Sequence, residues 1–322
     1  MQTRKLGYSD LHLTTVGLGT WAIGGDWQWG WGPQDDAESI AAVQRALDLG
    51  INWIDTAPAY GVGHSEEIVG RAIAGRREQV VIATKCSLVW DEGSTTTYAR
   101  LKAGSVRCEA EDSLRRLNVD VIDLYQIHWP RPDEDVEEAW GAIADMIGEG
   151  KIRYAGVSNF SVAQLERVQA IHPVASLQPP YSMLRHDVEQ ELLPYCAAND
   201  IGVVAYSPMQ AGLLTGKFSK ERVASLPDGD WRKQNLFFRE PQISANLALV
   251  EKLRPIAKRN GRPLAQLAIA WVLRRPEVTA AIVGARRPSQ IEETAPAGDW
   301  TLSQEDIAEI DALLEKRDKA LA

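Results

Sequence analysis

A chain of 322 residues, 45% hydrophobic and 25% charged, is long enough to close a large core. A formal net charge of −9 without any basic run argues against nucleic acid and anionic membrane surfaces as partners. No apolar run approaches a membrane span, the opening "MQTRKLGYSDLHL" is too polar for a signal peptide, and Cys86, Cys108 and Cys196 show no paired spacing, so a cytoplasmic protein with free thiols is expected.

The first residues read as a hairpin, after which strands and helices alternate. Strand "TTVGLGT" (14–20) precedes a helix over 35–50, where Asp35 and Glu38 fit a capping box and Gly50 fits the end. Strand "INWIDT" (51–56) precedes a helix over 65–75 opened by Ser65, and strand "VVIAT" (80–84) a helix over 98–117. Strand "VIDLYQIH" (121–128) precedes an acidic-faced helix over 133–149. Strand "YAGVS" (154–158) precedes a helix over 161–171 with a Ser161/Gln164 box. Strand "ASLQ" (175–178) precedes a helix over 188–200, and strand "IGVVAYS" (201–207) leads into a long polar stretch. Helices over 243–260 and 264–274, strand "TAAIVG" (279–284), a short helix and a last one over 303–319 complete the chain.

Most of these strands are apolar runs rather than alternating patterns, as strands buried on both faces of a parallel sheet require. The predicted fold is α/β: a (β/α)8 TIM barrel with an N-terminal hairpin and extra C-terminal helices. It is predicted as one domain over 1–322, with 207–240 looping over the mouth. An open doubly wound sheet would carry a G-x-G-x-x-G turn after an early strand, and none is present there.

Barrel enzymes carry their chemistry at the C-terminal strand ends. Here those ends bear Thr20-Trp21, Asp55, Lys85, His128-Trp129, Ser158-Asn159, Gln178 and Tyr206-Ser207. A tyrosine, with an unperturbed pKa of about 10, gives up its proton at neutral pH only with help. An ammonium from Lys85 would stabilise the phenolate of Tyr60 and lower that pKa, Asp55 would keep Lys85 charged, and His128 would orient a carbonyl. Protonating a carbonyl oxygen is half of a reduction. No side chain supplies the hydride, so a nicotinamide cofactor is implied.

"GLGTWAIGG" (17–25), "DTAPAYGVGHSEEIVGRAI" (55–73), "IATK" (82–85), "IDLYQIHWP" (122–130), "GKIRYAGVSNF" (150–160), "YSPMQAGLLTGK" (206–217) and "IVGARRPSQIEE" (282–293) run in register over nearly the whole chain. In these pieces the sequence resembles the aldo-keto reductases, in detail their bacterial, channel-β-subunit-like branch. The resemblance implies Tyr60 as general acid, tuned by Lys85 and Asp55, with His128 orienting the carbonyl. It implies that Ser158, Asn159 and Gln178 hold the nicotinamide carboxamide and that Tyr206 stacks on its ring. Thr20 and Trp21 would join the cofactor site. Ser207, Pro208, Gly212, Leu213 and Lys217 would follow the pyrophosphate. Gly284, Arg286, Gln290 and Glu293 would surround the adenosine, and Arg232 would clamp it from the long loop.

Two positions depart from the family pattern. Thr294 stands where the family usually has Asn, which puts one adenine hydrogen bond in question, and Gln290 stands where the aldose reductase branch places an Arg for the 2′-phosphate. Arg286 and Arg287 replace that contact, since a guanidinium suits a phosphate fork. NADP(H) is therefore expected over NAD(H).

The stretch "GDWQWGWG" (25–32) spends Trp27, Trp29 and Trp31 on what reads as a loop. Following the first strand, it would sit at the mouth near Tyr60. Trp21, one or more of Trp27, Trp29 and Trp31, and Trp129 are expected to wall a pocket for a small carbonyl compound or a sugar; self-packing of the loop is the alternative. His64 reads as a loop residue and Cys86 as a small buried one. No His pair has metal-ligand spacing, and no metal is expected. The activities this allows are carbonyl reduction, the reverse dehydrogenation of a sugar or polyol, and cofactor sensing by a regulatory subunit.

Overall fold

Eight strands hydrogen-bond in sequence order, all in parallel, and the last closes onto the first. This is the (β/α)8 barrel, seen in a computed structural model that describes residues 1–321. The barrel strands are β1 (Val16–Gly19), β2 (Trp53–Asp55), β3 (Val81–Cys86), β4 (Ile122–Ile127), β5 (Ile152–Ser158), β6 (Ser176–Gln178), β7 (Gly202–Ala205) and β8 (Val278–Gly284). Six helices follow the first six strands: α1 (Asp36–Asp48), α2 (His64–Ala72), α3 (Ala103–Leu117), α4 (Val136–Gly148), α5 (Val162–Gln169) and α6 (Leu192–Ala198). After β7 come α7 (Lys220–Ala224), α8 (Gln242–Arg259) and α9 (Leu264–Leu273), and after β8 come α10 (Pro288–Thr294) and α11 (Gln304–Lys319).

The expected hairpin pairs Thr3–Lys5 with His12–Thr14. Its Leu6, Leu11 and Leu13 pack with Trp53, Ala83, Leu124, Ala175, Val204 and Ala280 in one buried cluster, and the Trp53 indole donates to Thr14 O at 2.9 Å. The hairpin thus seals one end of the barrel and leaves the other for chemistry. A larger apolar layer lies between strands and helices, and every residue of α9 is buried.

Several boundaries differ from the sequence expectation, each for a local reason. Helix α2 is capped by Gly63 at φ 103°, not by Ser65, whose hydroxyl turns inward to Thr20 Oγ1 at 2.8 Å. His64 is accordingly the first residue of α2 rather than a loop residue, with Nε2 2.9 Å from Asp36 Oδ1. Helix α3 begins at Ala103 because Tyr98–Ala99 pairs with Leu88–Val89 in a small ribbon at the exit of β3. The 188–200 helix shrinks to α6 behind a 3-10 turn at Asp187–Glu189, and Asp133–Asp135 forms a 3-10 turn ahead of α4. Asp35 accepts from Glu38 N at 2.8 Å, which is half of a capping box, whereas Ser161 and Gln164 make the full reciprocal box. The long stretch after β7 folds into short turns at Leu213–Thr215, Trp231–Gln234 and Leu236–Phe238 around α7.

Candidate active site

Asp55 ends β2, Lys85 is the penultimate residue of β3, and His128 follows β4 directly, so neighbouring strands deliver three of the four candidate side chains to one end. Tyr60 comes from the tight turn after β2, with its N–H donating to Ala57 O at 3.1 Å. Gly61, at φ 65°, turns the chain away where a Cβ would lie 1.9 Å from Gly24 O. Any side chain there would push the first mouth loop off Tyr60.

Lys85 Nζ donates to both Asp55 carboxylate oxygens at 2.8 and 2.9 Å, to Thr56 O at 2.8 Å and to Tyr60 Oη at 3.3 Å. The His128 ring stands edge-on to Tyr60, with centroids 5.8 Å apart. Asp55, Tyr60 and Lys85 are all buried. Burial pulls Lys85 below its ordinary value, opposed by the charge and hydrogen bonds of Asp55. Burial, followed by the Lys85 charge, pushes His128 well down, so its imidazole is neutral.

In the resting site burial dominates at Tyr60. Burial, reinforced by Asp55 and then Tyr206, holds the phenol well above its ordinary value. Asp55 serves as the counter-charge to Lys85, which leaves too little net positive charge to outweigh desolvation. The resting Tyr60 is a protonated, neutral donor.

Around this cluster lie neutral amides and hydroxyls. Gln178 donates from Nε2 to Asp55 Oδ2 at 2.7 Å, and its backbone O accepts from Ser158 Oγ at 2.8 Å. Asn159, at φ 64°, donates from Nδ2 to His128 O at 3.0 Å and accepts from Tyr206 Oη at 2.9 Å. Thr20 is fully buried, and its hydroxyl donates to Asp55 O at 3.0 Å.

The tryptophan loop divides. Trp27 is buried at 8% exposure, clusters with Ala57, Ala59 and Tyr60, and its ring lies 6.0 Å from that of Tyr60. Trp31 stands edge-on to Trp21 at 4.9 Å. Trp129 stacks on His128 at 6.5 Å, and Trp29, at 48% exposure, is outside these ring contacts. Two partners escaped the sequence reading. Trp231 from the long loop packs edge-on against Trp21 at 5.7 Å, and Gln34 exchanges hydrogen bonds with Arg286. Trp231 precedes Arg232 in sequence, the one signal that would have found it.

Farther out, Arg232 pairs with Asp230 and covers the Trp31 ring at 4.8 Å. Lys217 reaches Glu293 at 3.0 Å. Arg286 donates from Nε to Gln34 Oε1 and from Nη2 to Pro33 O, both at 2.6 Å, while its backbone N–H donates to Gln290 Oε1 at 2.7 Å. Thr294 turns its hydroxyl back onto Gln290 O at 2.9 Å. Ser207 is exposed and Pro208 buried after β7, Gly212 adopts φ 90° before the buried Leu213, and Gly284 ends β8 exposed. Among the described residues no cluster of three or more His, Cys, Asp or Glu is placed to hold a metal, and no helix is long and apolar enough to cross a membrane.

Residues 15–315 match the model of the Aldo/keto reductase family. The chain is 41% identical over 318 residues to aldo-keto reductase YhdN of Bacillus subtilis (strain 168), covering 98% of this chain and 94% of that protein. It is 35% identical to the NADH-specific methylglyoxal reductase of Escherichia coli (strain K12), covering 95% and 96%. The structure of the glycerol dehydrogenase AKR11B4 from Gluconobacter oxydans superposes with a TM-score of 0.89 at 38% identity, covering 98% of this chain and 95% of that one.

Proposed function

Because this chain belongs to the aldo-keto reductase family, as an NAD(P)-dependent oxidoreductase, we propose that it reduces small aldehydes and ketones with NADP(H), Tyr60 delivering the proton. One observation carries the reading: Lys85 Nζ bridges Asp55 and the hydroxyl of a buried, protonated Tyr60. The dihydronicotinamide, when bound, supplies the hydride. Tyr60 donates its proton to the carbonyl oxygen as negative charge gathers there. Lys85, kept charged by Asp55, stabilises the phenolate left behind, and neutral His128 donates a hydrogen bond that orients the carbonyl. Trp27 and Trp129 keep water from the reacting atoms, while Trp21 and Trp31 extend the wall.

The residues present suit that cofactor. Ser158, Asn159 and Gln178 offer the mixed donors and acceptors a carboxamide needs, and Tyr206 offers a ring. Ser207, Gln210 and Ala211 all hold positive φ (57°, 47° and 51°) without being glycine, a concentration of strain that marks backbone shaped for a ligand. Lys217, Arg232, Arg286 and Arg287 supply positive charge in an acidic protein. Arg286 and Arg287 support NADP(H) over NAD(H), although the Escherichia coli relative is named NADH-specific. In the oxidative direction the same groups act with the proton flow reversed.

The test follows NADPH absorbance over a carbonyl panel that includes methylglyoxal and glyceraldehyde, with NADP+ and glycerol for the reverse direction. Turnover by the wild type and its collapse in Tyr60→Phe is the expected result. Turnover that survives Tyr60→Phe overturns the assignment of the proton donor, and tight NADPH binding without any turnover favours a cofactor sensor.

A further inference from the structure

Behind the candidate site, on the helix side of β3, a buried carboxyl group has no part in the chemistry above. Glu109 of α3 is 8% exposed. Its Oε2 accepts the backbone N–H of Ser87 at 2.9 Å, and its Oε1 accepts from Ser105 Oγ at 3.2 Å. Ser87 lies two residues beyond Lys85 and is fully buried. It holds φ at 89°, a conformation that an L-residue keeps only where its surroundings impose it. The Glu109 carboxyl oxygen is what receives the N–H in that conformation.

Ser87 in turn grips the neighbouring strand end. Its Oγ accepts the Trp129 N–H at 3.0 Å, and the Cys86 carbonyl next to it accepts the His128 N–H at 3.0 Å. The backbone that presents His128 and Trp129 is therefore held by the β3 exit, and that exit is held by Glu109. We infer that Glu109 is a positioning residue for carbonyl reduction, acting through the strained Ser87 to set His128 and Trp129 against the substrate. The inference rests on the proposed roles of those two side chains. A shift of about 1 Å at a reacting centre costs about a hundredfold in rate, so a support of this kind reaches the chemistry without touching it.

The experiment compares Glu109→Ala, Glu109→Gln and Ser87→Ala with wild type, using carbonyl kinetics, NADPH affinity by fluorescence titration and urea unfolding. Glu109→Ala orphans the Ser87 N–H, Ser87→Ala orphans the Trp129 N–H, and Glu109→Gln keeps a carbonyl oxygen as acceptor. Both alanine variants are expected to lose about tenfold or more in kcat/KM for the carbonyl, with NADPH affinity within about twofold of wild type. Glu109→Gln is expected to regain most of the loss. Ser87→Ala kinetics indistinguishable from wild type overturn the inference, as does equal loss in Glu109→Gln and Glu109→Ala, or a parallel loss of NADPH affinity. If Glu109→Ala does not fold, Ser87→Ala decides alone. Tyr60→Phe run alongside separates the two readings: if it is inactive while Ser87→Ala is unimpaired, only the positioning role falls, and if it stays active, the proton-donor reading falls instead.

Discussion

Lys85 Nζ stands 3.3 Å from the hydroxyl oxygen of Tyr60, and the same ammonium is held by both oxygens of Asp55. Lys85 is 0% exposed and Asp55 is 3% exposed. Such a pair stabilises little on balance, but breaking it from one side leaves a bare buried charge.

Lys85→Met is therefore expected to cost about 3–5 kcal/mol of stability and about two to four orders of magnitude in turnover. The double variant Lys85→Met/Asp55→Asn removes the stranded charge. It should recover most of the stability in urea unfolding and none of the turnover. Equal stability of the single and double variants would show that Asp55 does not need its counter-charge.

The eight barrel strands were legible because most are short apolar runs and seven of them are closed by a polar residue, and burial on both faces permits little else. The residues at those strand ends, Asp55, Lys85, His128, Asn159 and Gln178, were legible for the same reason. The depth of Tyr60 was not. Sequence places a lysine near it but says nothing of the burial and the Asp55 charge that raise the phenol. Nor could a local pattern carry the Gln34–Arg286 exchange, which joins loops 252 residues apart. The Ser65 expectation failed because a serine before a helix-like run signals a cap, while the inward hydroxyls of Thr20 and Thr56 that claim it come from elsewhere in the barrel.

Glu109 gives stability an unusual slope with pH. Burial pushes its carboxyl from 4.5 to about 8, against the opposing pull of the Ser87 N–H, Ser105, Arg116 and Arg100. The folded chain therefore holds a proton that the unfolded chain has released across that interval. The Glu109 contribution is most favourable below pH 4.5, is lost as pH rises toward about 8, and is level above that. Glu109→Gln removes the ionisation, so its stability relative to wild type should improve between pH 5 and pH 9. Urea midpoints at the two pH values measure this, and a difference that stays constant or moves the other way refutes it.

Trp27 and Trp29 sit two residues apart and should behave oppositely. Trp27 packs on Tyr60 at 8% exposure, and Trp29 is 48% exposed. Trp27→Ala is expected to destabilise by about 3–5 kcal/mol and to raise KM for the carbonyl. Trp29→Ala should change both quantities little. Unchanged Michaelis constants across a substrate panel in Trp27→Ala would remove this residue from the pocket wall.

Arg286 offers the sharpest test of cofactor choice. A charged hydrogen bond to a 2′-phosphate is worth about 1.5–3 kcal/mol, so Arg286→Ala should weaken NADPH by about tenfold or more while leaving NADH nearly unchanged. Its guanidinium donates two of its five N–H groups, to Gln34 Oε1 and Pro33 O. The other N–H groups are left for a phosphate, so Gln34 holds the guanidinium in place without consuming it. Gln34→Ala should then weaken NADPH binding and spare NADH, in the same direction as Arg286→Ala. Titrating both nucleotides against both variants by protein fluorescence decides the matter. If Gln34→Ala instead tightens NADPH, then Gln34 withholds the arginine from the cofactor rather than orienting it.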